Sequence, residues 1–241
     1  MISSINKYLL LFDIDGTLMR LSAGVAAPIF GRAIRQVLSK DIELHSAISF
    51  AGRTDCGILM EILAHNNHSM PLPKEKFIEI YDLIYQDFKN LLSSDTIQIL
   101  PGVRELLDLL SNDERFVLGI LTGNFENNAK LKLEFFNLQH YFQFGVYGDF
   151  TPDRIDLPVQ AFRIANDLFD NYKFSVSQCL VLGDTGNDIE SAKSAGMHSL
   201  AVSTGVLSEE QLAQFSPDLL FEDFSDYQNV YNAILKLFNE K

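Results

Sequence analysis

Four short apolar runs punctuate the chain, at Tyr8–Phe12, Phe116–Leu121, 179–182 and 199–202. Each is about the length of one strand and carries almost no polar residue, the pattern of a strand buried on both faces. Between them, the stretches 103–110, 129–136 and 158–169 place apolar residues at helical spacing. Buried strands alternating with helices predict an α/β fold, a Rossmann-like parallel sheet core flanked by helices. The triplet Leu219–Phe221 predicts a late edge strand.

The gap between the first two runs is too long for a single crossover helix. It shows helical periods at 25–38, 56–65 and 74–92 and no convincing strand. Pro28 is acceptable only near the first turn of its helix, and Pro71 and Pro73 separate the second helix from the third. Such a block predicts an inserted all-helical cap domain over 21–96, with the α/β core formed by 1–20 and 97–241. Pro101 is placed to start the helix by which the chain re-enters the core.

Charge narrows the partners. The chain of 241 residues carries 32 acidic and 19 basic residues, a formal net charge of −13. Nucleic acid and anionic membrane surfaces are both held by clustered Lys and Arg, so neither is an expected partner. The first apolar run is broken at once by Asp13 and Asp15, so it reads as a buried strand and not a secretion signal. No run approaches the ~18 residues of a membrane span. Cys56 and Cys179 lie far apart, outside any C-x-x-C spacing, which predicts free thiols and a cytoplasmic location. Oligomeric state does not follow from these features.

What ends each run is more informative. The first leads into Asp13-Ile14-Asp15-Gly16-Thr17, the second into Thr122-Gly123-Asn124, the third into Gly183-Asp184-Thr185-Gly186-Asn187-Asp188. In a parallel sheet these segments leave the same edge, the carboxyl edge at which α/β proteins bind ligands. Asp13, Asp15, Asp184 and Asp188 would then crowd one crevice. Mutual repulsion makes that costly unless a hard cation such as Mg²⁺ is shared among them. One carboxylate of the first pair can address a phosphorus atom while the other serves the leaving group. Thr122 adds a hydroxyl, and Gly123 with Asn124 would open a helix N-terminus able to hold phosphate oxygens.

These motifs, in this order, resemble those of the haloacid dehalogenase superfamily, and the resemblance covers nearly the whole chain. The helical insert is similar to that superfamily's helical-cap subclass, which holds phosphoglycolate phosphatases and β-phosphoglucomutase-like proteins. The resemblance implies Asp13 as a nucleophile that forms an aspartyl-phosphate, and Asp15 as the general acid/base. It implies Mg²⁺ held by Asp13, the Asp15 backbone carbonyl, Asp184 and Asp188, with Thr17, Gly123 and Asn124 on the substrate's phosphate. An acid at Asp15 implies a phosphate ester, since an alkoxide leaving group needs a proton. The expected activity is hydrolysis of a small phosphorylated metabolite such as phosphoglycolate, a sugar phosphate or a nucleotide. A phosphosugar mutase and a catalytically weak binding module are the alternatives.

One motif departs from the family pattern. A Lys is expected between Tyr147 and Leu168, and the segment has none. Arg154 stands near the right place and is taken as its replacement, although a planar fork and a point charge are not equivalent. Lys130 and Lys132 are the fallback for that role, although on an early helix they are expected to face solvent. In the cap, Arg53 of Ala51-Gly52-Arg53-Thr54-Asp55 is the expected substrate contact, with Thr54 or Asp55 able to cap the next helix.

Overall fold

The computed structural model describes residues 6–46, 48–169 and 172–239. Its centre is a six-stranded sheet in the order β5-β4-β1-β6-β7-β8, with every pairing parallel. The strands are β1 (Tyr8–Phe12), β4 (Phe116–Leu121), β5 (Phe144–Val146), β6 (Cys179–Gly183), β7 (His198–Val202) and β8 (Leu219–Phe221). The five expected strands are present, and β5 is an addition. Its three residues, Phe-Gly-Val, are too few for a period to show, and pairing with β4 rather than intrinsic preference makes them a strand.

Side-chain alternation divides the core into two layers. Leu10, Phe12, Leu118, Ile120, Leu180 and Leu182 face one side of the sheet. There they meet α4 (Val103–Ser111) and α9 (Tyr227–Asn239), which supply Leu106, Leu107, Val230 and Ile234. Leu9, Leu11, Val117 and Val181 face the other side, packing on Ala161 and Ala165 of α6 (Leu157–Leu168) and Ala192 of α7 (Gly186–Ser194). Each fully buried leucine of this kind contributes about 1.5–3 kcal/mol by leaving water. Both faces of β1 are thereby sealed, so a polar residue can appear only where the strand ends.

Three helices form the insert: α1 (Ala26–Leu38), α2 (Asp55–His65) and α3 (Lys74–Leu91). Pro28 falls in the first turn of α1, where its missing N–H goes unneeded. These helices bury their own cluster, including Phe30, Ile34, Leu59, Ile62 and Ile84. That cluster also takes in Phe125, which precedes α5 (Glu126–Phe135) of the core. The chain leaves the core through β2 (Met19–Leu21) and returns through β3 (Ile97–Ile99). The two pair antiparallel, a ribbon too short to have been legible in sequence. Among the described residues no helix is long and apolar enough to cross a membrane.

Candidate active site

Register brings the motif residues together. Phe12 lies level with Ile120 of β4 and with Leu182 of β6, so Asp13, Thr122 and Asp184 all emerge at one edge. Asp13 begins that exit with its N–H donated to the Leu182 carbonyl at 2.9 Å. Gly16 then turns the chain at φ +86°, and a Cβ there would lie 2.2 Å from Asp184 Oδ2. Glycine is needed on both counts, conformation and closeness. Gly205 also approaches this carboxylate, and a Cβ there would meet Oδ2 at 1.7 Å.

Asp188 sits in the first turn of α7. Its Oδ2 accepts the Thr185 hydroxyl at 2.6 Å and the Thr185 N–H at 3.1 Å, a capping box that fixes the carboxylate. Oδ1 is thereby left to face the centre. Carboxylate oxygens of Asp13, Asp184 and Asp188 all lie within 4.8 Å of one another, and all three residues are buried. Asp15 stands beside this cluster with its side chain about 35% exposed.

Two cations answer the carboxylates. Arg154 Nη2 lies 2.9 Å from Asp13 Oδ1 and 2.5 Å from Asp188 Oδ1. The arginine is carried by a single 3₁₀ turn, Arg154–Asp156, capped by Asp153, whose carboxylate accepts the Ile155 N–H at 3.1 Å. Arg154 thus stands at the carboxylate cluster, joined to both Asp13 and Asp188. The second cation corrects the sequence expectation: Lys132 is only 4% exposed. Its Nζ donates to Asp15 Oδ2 at 2.5 Å and to Asn124 Oδ1 at 2.8 Å, and it lies 5.5 Å from the Phe88 ring of α3. Packing of the helical insert over α5 buries a face that helical periodicity alone had assigned to water. Lys130 does face solvent, paired with Glu126.

Burial and mutual repulsion show in the protonation of the cluster. Asp13 is pushed up to about 6, first by burial, opposed by Arg154 and reinforced by Asp188. Asp184 is raised well above the ordinary carboxylate value by burial and then by Asp188 and Asp13. With three buried carboxylates and one bridging guanidinium, the oxygen-only donor set fits a hard divalent cation.

The insert is docked directly on this edge. The Asp55 N–H donates to the Gly123 carbonyl at 2.7 Å, and Asp55 Oδ2 accepts the Phe125 N–H at 2.8 Å. Asp149 Oδ2 accepts the Glu126 N–H at 2.9 Å. The N–H groups of Phe125 and Glu126, where α5 begins, are therefore occupied by two carboxylates of the protein itself. Asp55 is pushed up to about 7 by burial, against the pull of Lys132. Gly123 carries the contact because a Cβ would sit 2.0 Å from the Arg53 carbonyl. Asn187 donates to the Gly52 carbonyl at 2.8 Å and ties the same loop to α7. Thr54 is the cap of α2, accepting the Gly57 N–H at 3.0 Å.

A cavity of about 550 Å³ opens between insert and core, with Asp13, Asp15, Thr122, Asn124 and Asp184 on its core side. Arg53 lines it, yet its guanidinium is held by Glu61 of α2. Thr122 Oγ1 accepts the Asn124 N–H at 3.3 Å. Thr17 is fully buried with no partner for its hydroxyl, and it does not line the cavity. Three further residues line the wall: Lys132, which the sequence reading had turned to solvent, Asp55, which it had read only as a possible cap, and Asn128, which it missed. Asn124, Asn128 and Lys132 are four residues apart in turn, one face running into α5, and that spacing was the available signal.

Residues 10–202 match the family model described as haloacid dehalogenase-like hydrolase. A phosphoglycolate phosphatase of Vibrio cholerae is 26% identical over 218 residues, covering 89% of this chain and 92% of that protein. Among solved structures, a hydrolase from Pseudomonas syringae aligns with a TM-score of 0.66 at 22% identity, over 94% of this chain and 98% of the other. CbbY from Rhodobacter sphaeroides, solved in complex with phosphate, aligns with a TM-score of 0.65 at 18% identity, over 91% and 96% of the respective chains. At those identities the two structures speak for the fold.

Proposed function

The chain belongs to the haloacid dehalogenase-like hydrolase family, and on that premise we propose that it is a phosphatase acting on a small phosphorylated metabolite through an aspartyl-phosphate. One observation carries the reading. Asp13 leaves the central strand into a buried three-carboxylate cluster and also faces a cavity of metabolite size.

In this reading Asp13 attacks phosphorus while Asp15, held by Lys132, protonates the departing alkoxide and later accepts a proton from the hydrolytic water. Arg154 keeps the Asp13 carboxylate oriented and places positive charge where phosphoryl charge develops. Asp13, Asp184 and Asp188, with the Asp15 carbonyl, would hold Mg²⁺, which supplies charge neutralisation to the phosphoryl oxygens when bound. Thr122 and Asn124, on the cavity wall, are the polar groups nearest in sequence to the β4 exit and would orient the phosphate.

The helical insert, 21–96, would act as a cap over the core, 1–20 and 97–241, and admit only small substrates. Docking of its 52–55 loop on Gly123 and Asn187 supports a closed arrangement that excludes water. The family match, the phosphatase relatives and the acid at Asp15 together favour hydrolysis of a phosphate ester. Release of inorganic phosphate from a panel of phosphomonoesters with Mg²⁺ tests this, with Asp13→Asn as the control. Undiminished turnover by that variant would end the proposal.

A further inference from the structure

We infer that Asn128 is a specificity-determining residue, selecting phosphate esters whose organic half carries a hydroxyl or amide edge over esters ending in a carboxylate; this rests on the phosphatase reading above. Asn128 is 2% exposed, and neither its amide nitrogen nor its amide oxygen has a hydrogen-bond partner. Leaving such a group unpaired away from water is costly, so it is kept where a ligand completes it. The residue lies on the wall of the cavity that Asp13 faces, one helical turn before Lys132.

An amide offers a donor and an acceptor side by side. A carboxylate accepts only, and would leave the Asn128 oxygen unpaired. A sugar hydroxyl or a cyclic amide satisfies both atoms. The remaining surroundings agree. Phe30 and Phe88 supply apolar walls, suited to the face of a sugar or a ring. Among the cations on the cavity wall, Lys132, Arg53 and Arg154 are already paired with protein carboxylates. The fourth, Arg20, donates to the Thr204 carbonyl. A cavity of about 550 Å³ also far exceeds what a two-carbon acid requires.

The test compares ribose 5-phosphate, uridine 5′-monophosphate and 2-phosphoglycolate with wild type, Asn128→Leu and Asn128→Ser, in Mg²⁺. Wild type is expected to favour the first two esters in kcat/KM. Asn128→Leu should cut that preference by about tenfold to a hundredfold, because a site built for a hydrogen bond discriminates through it. Asn128→Ser, which keeps a smaller donor and acceptor, should retain part of it. The Leu variant should also hold or raise the melting temperature, since it removes an unpaired polar group at nearly constant volume. A structural role predicts the reverse, a lower melting temperature with all three substrates affected alike, and that result overturns the inference. A wild-type preference for 2-phosphoglycolate overturns it too, while leaving the phosphatase reading intact. Phosphate release from none of the esters fails the phosphatase reading and takes the inference with it.

Discussion

Arg154 Nη2 lies 2.9 Å from Asp13 Oδ1, and the same nitrogen reaches Asp188 Oδ1 at 2.5 Å. One guanidinium thus joins the end of β1 to the first turn of α7, elements far apart in the chain order. It stands where relatives of this fold are expected to use lysine. Arg154→Lys should fold and keep measurable turnover. Its single point charge cannot reproduce both contacts with the same geometry, so kcat should fall by roughly tenfold to a hundredfold. Steady-state kinetics on the best ester decides this. A variant as fast as wild type would show that charge alone suffices.

Replacing the proposed nucleophile separates chemistry from stability. Asp13→Asn should lower phosphate release by on the order of 10³-fold or more. It should not lower the melting temperature, because burial already disfavours the Asp13 charge. Thermal unfolding beside the kinetic assay checks both halves, and a collapse of stability would assign Asp13 a structural role.

Lys132 is predicted to serve the reaction through Asp15. Lys132→Met leaves Asp15 without its cation and Asn124 without its donor. Since Asp15 is partly exposed, the stability loss should stay well below the 3–5 kcal/mol of a fully buried broken pair. Turnover should fall by about tenfold or more, mainly in kcat, because proton transfer needs a placed carboxyl group. A change confined to KM would move Lys132 from positioning the acid to binding substrate.

The raised carboxylates set a pH dependence. Asp13 at about 6 and Asp55 at about 7 both stand above their ordinary 3.8. The native state therefore binds more protons than the unfolded chain between roughly pH 4 and 7, and unfolding free energy falls as pH rises through that window. The protonated forms give their full benefit below about pH 4 and none above about pH 7. This holds with metal chelated. A divalent cation binds the ionised cluster, so the rise in melting temperature on adding Mg²⁺ should be larger at pH 7.5 than at pH 5. Thermal scans with EDTA and with Mg²⁺ measure it. Equal shifts at both pH values would remove the cluster as the metal site.

The contact between the 52–55 loop and Gly123 leaves no room for a side chain at Gly123. Gly123→Ala puts a methyl group 2.0 Å from the Arg53 carbonyl, which must retreat. The expected cost is about 1–3 kcal/mol of stability, as for other overpacked contacts. Lower kcat/KM should follow, with faster amide exchange at Asp55, whose N–H bonds to the Gly123 carbonyl. Unchanged exchange would show that the loop is held elsewhere.

Tyr8–Phe12 and Phe116–Leu121 were legible as strands because burial on both faces demands an unbroken apolar run, and Asp13 and Asp184 were legible because they stop such runs abruptly. Sequence alone thereby determined the parallel sheet, the helical insert and the carboxylates of the candidate site. Tertiary structure decided what depended on packing between distant segments. Lys132 became buried because α3 and its Phe88 cover α5, and the N–H groups of Phe125 and Glu126 were taken by Asp55 and Asp149, 70 and 23 residues away. The three-residue strand β5 exists through its pairing with β4. Periodicity reports which face of an element is apolar, but the partner that covers a polar face lies elsewhere in the chain, and only the assembled fold brings it there.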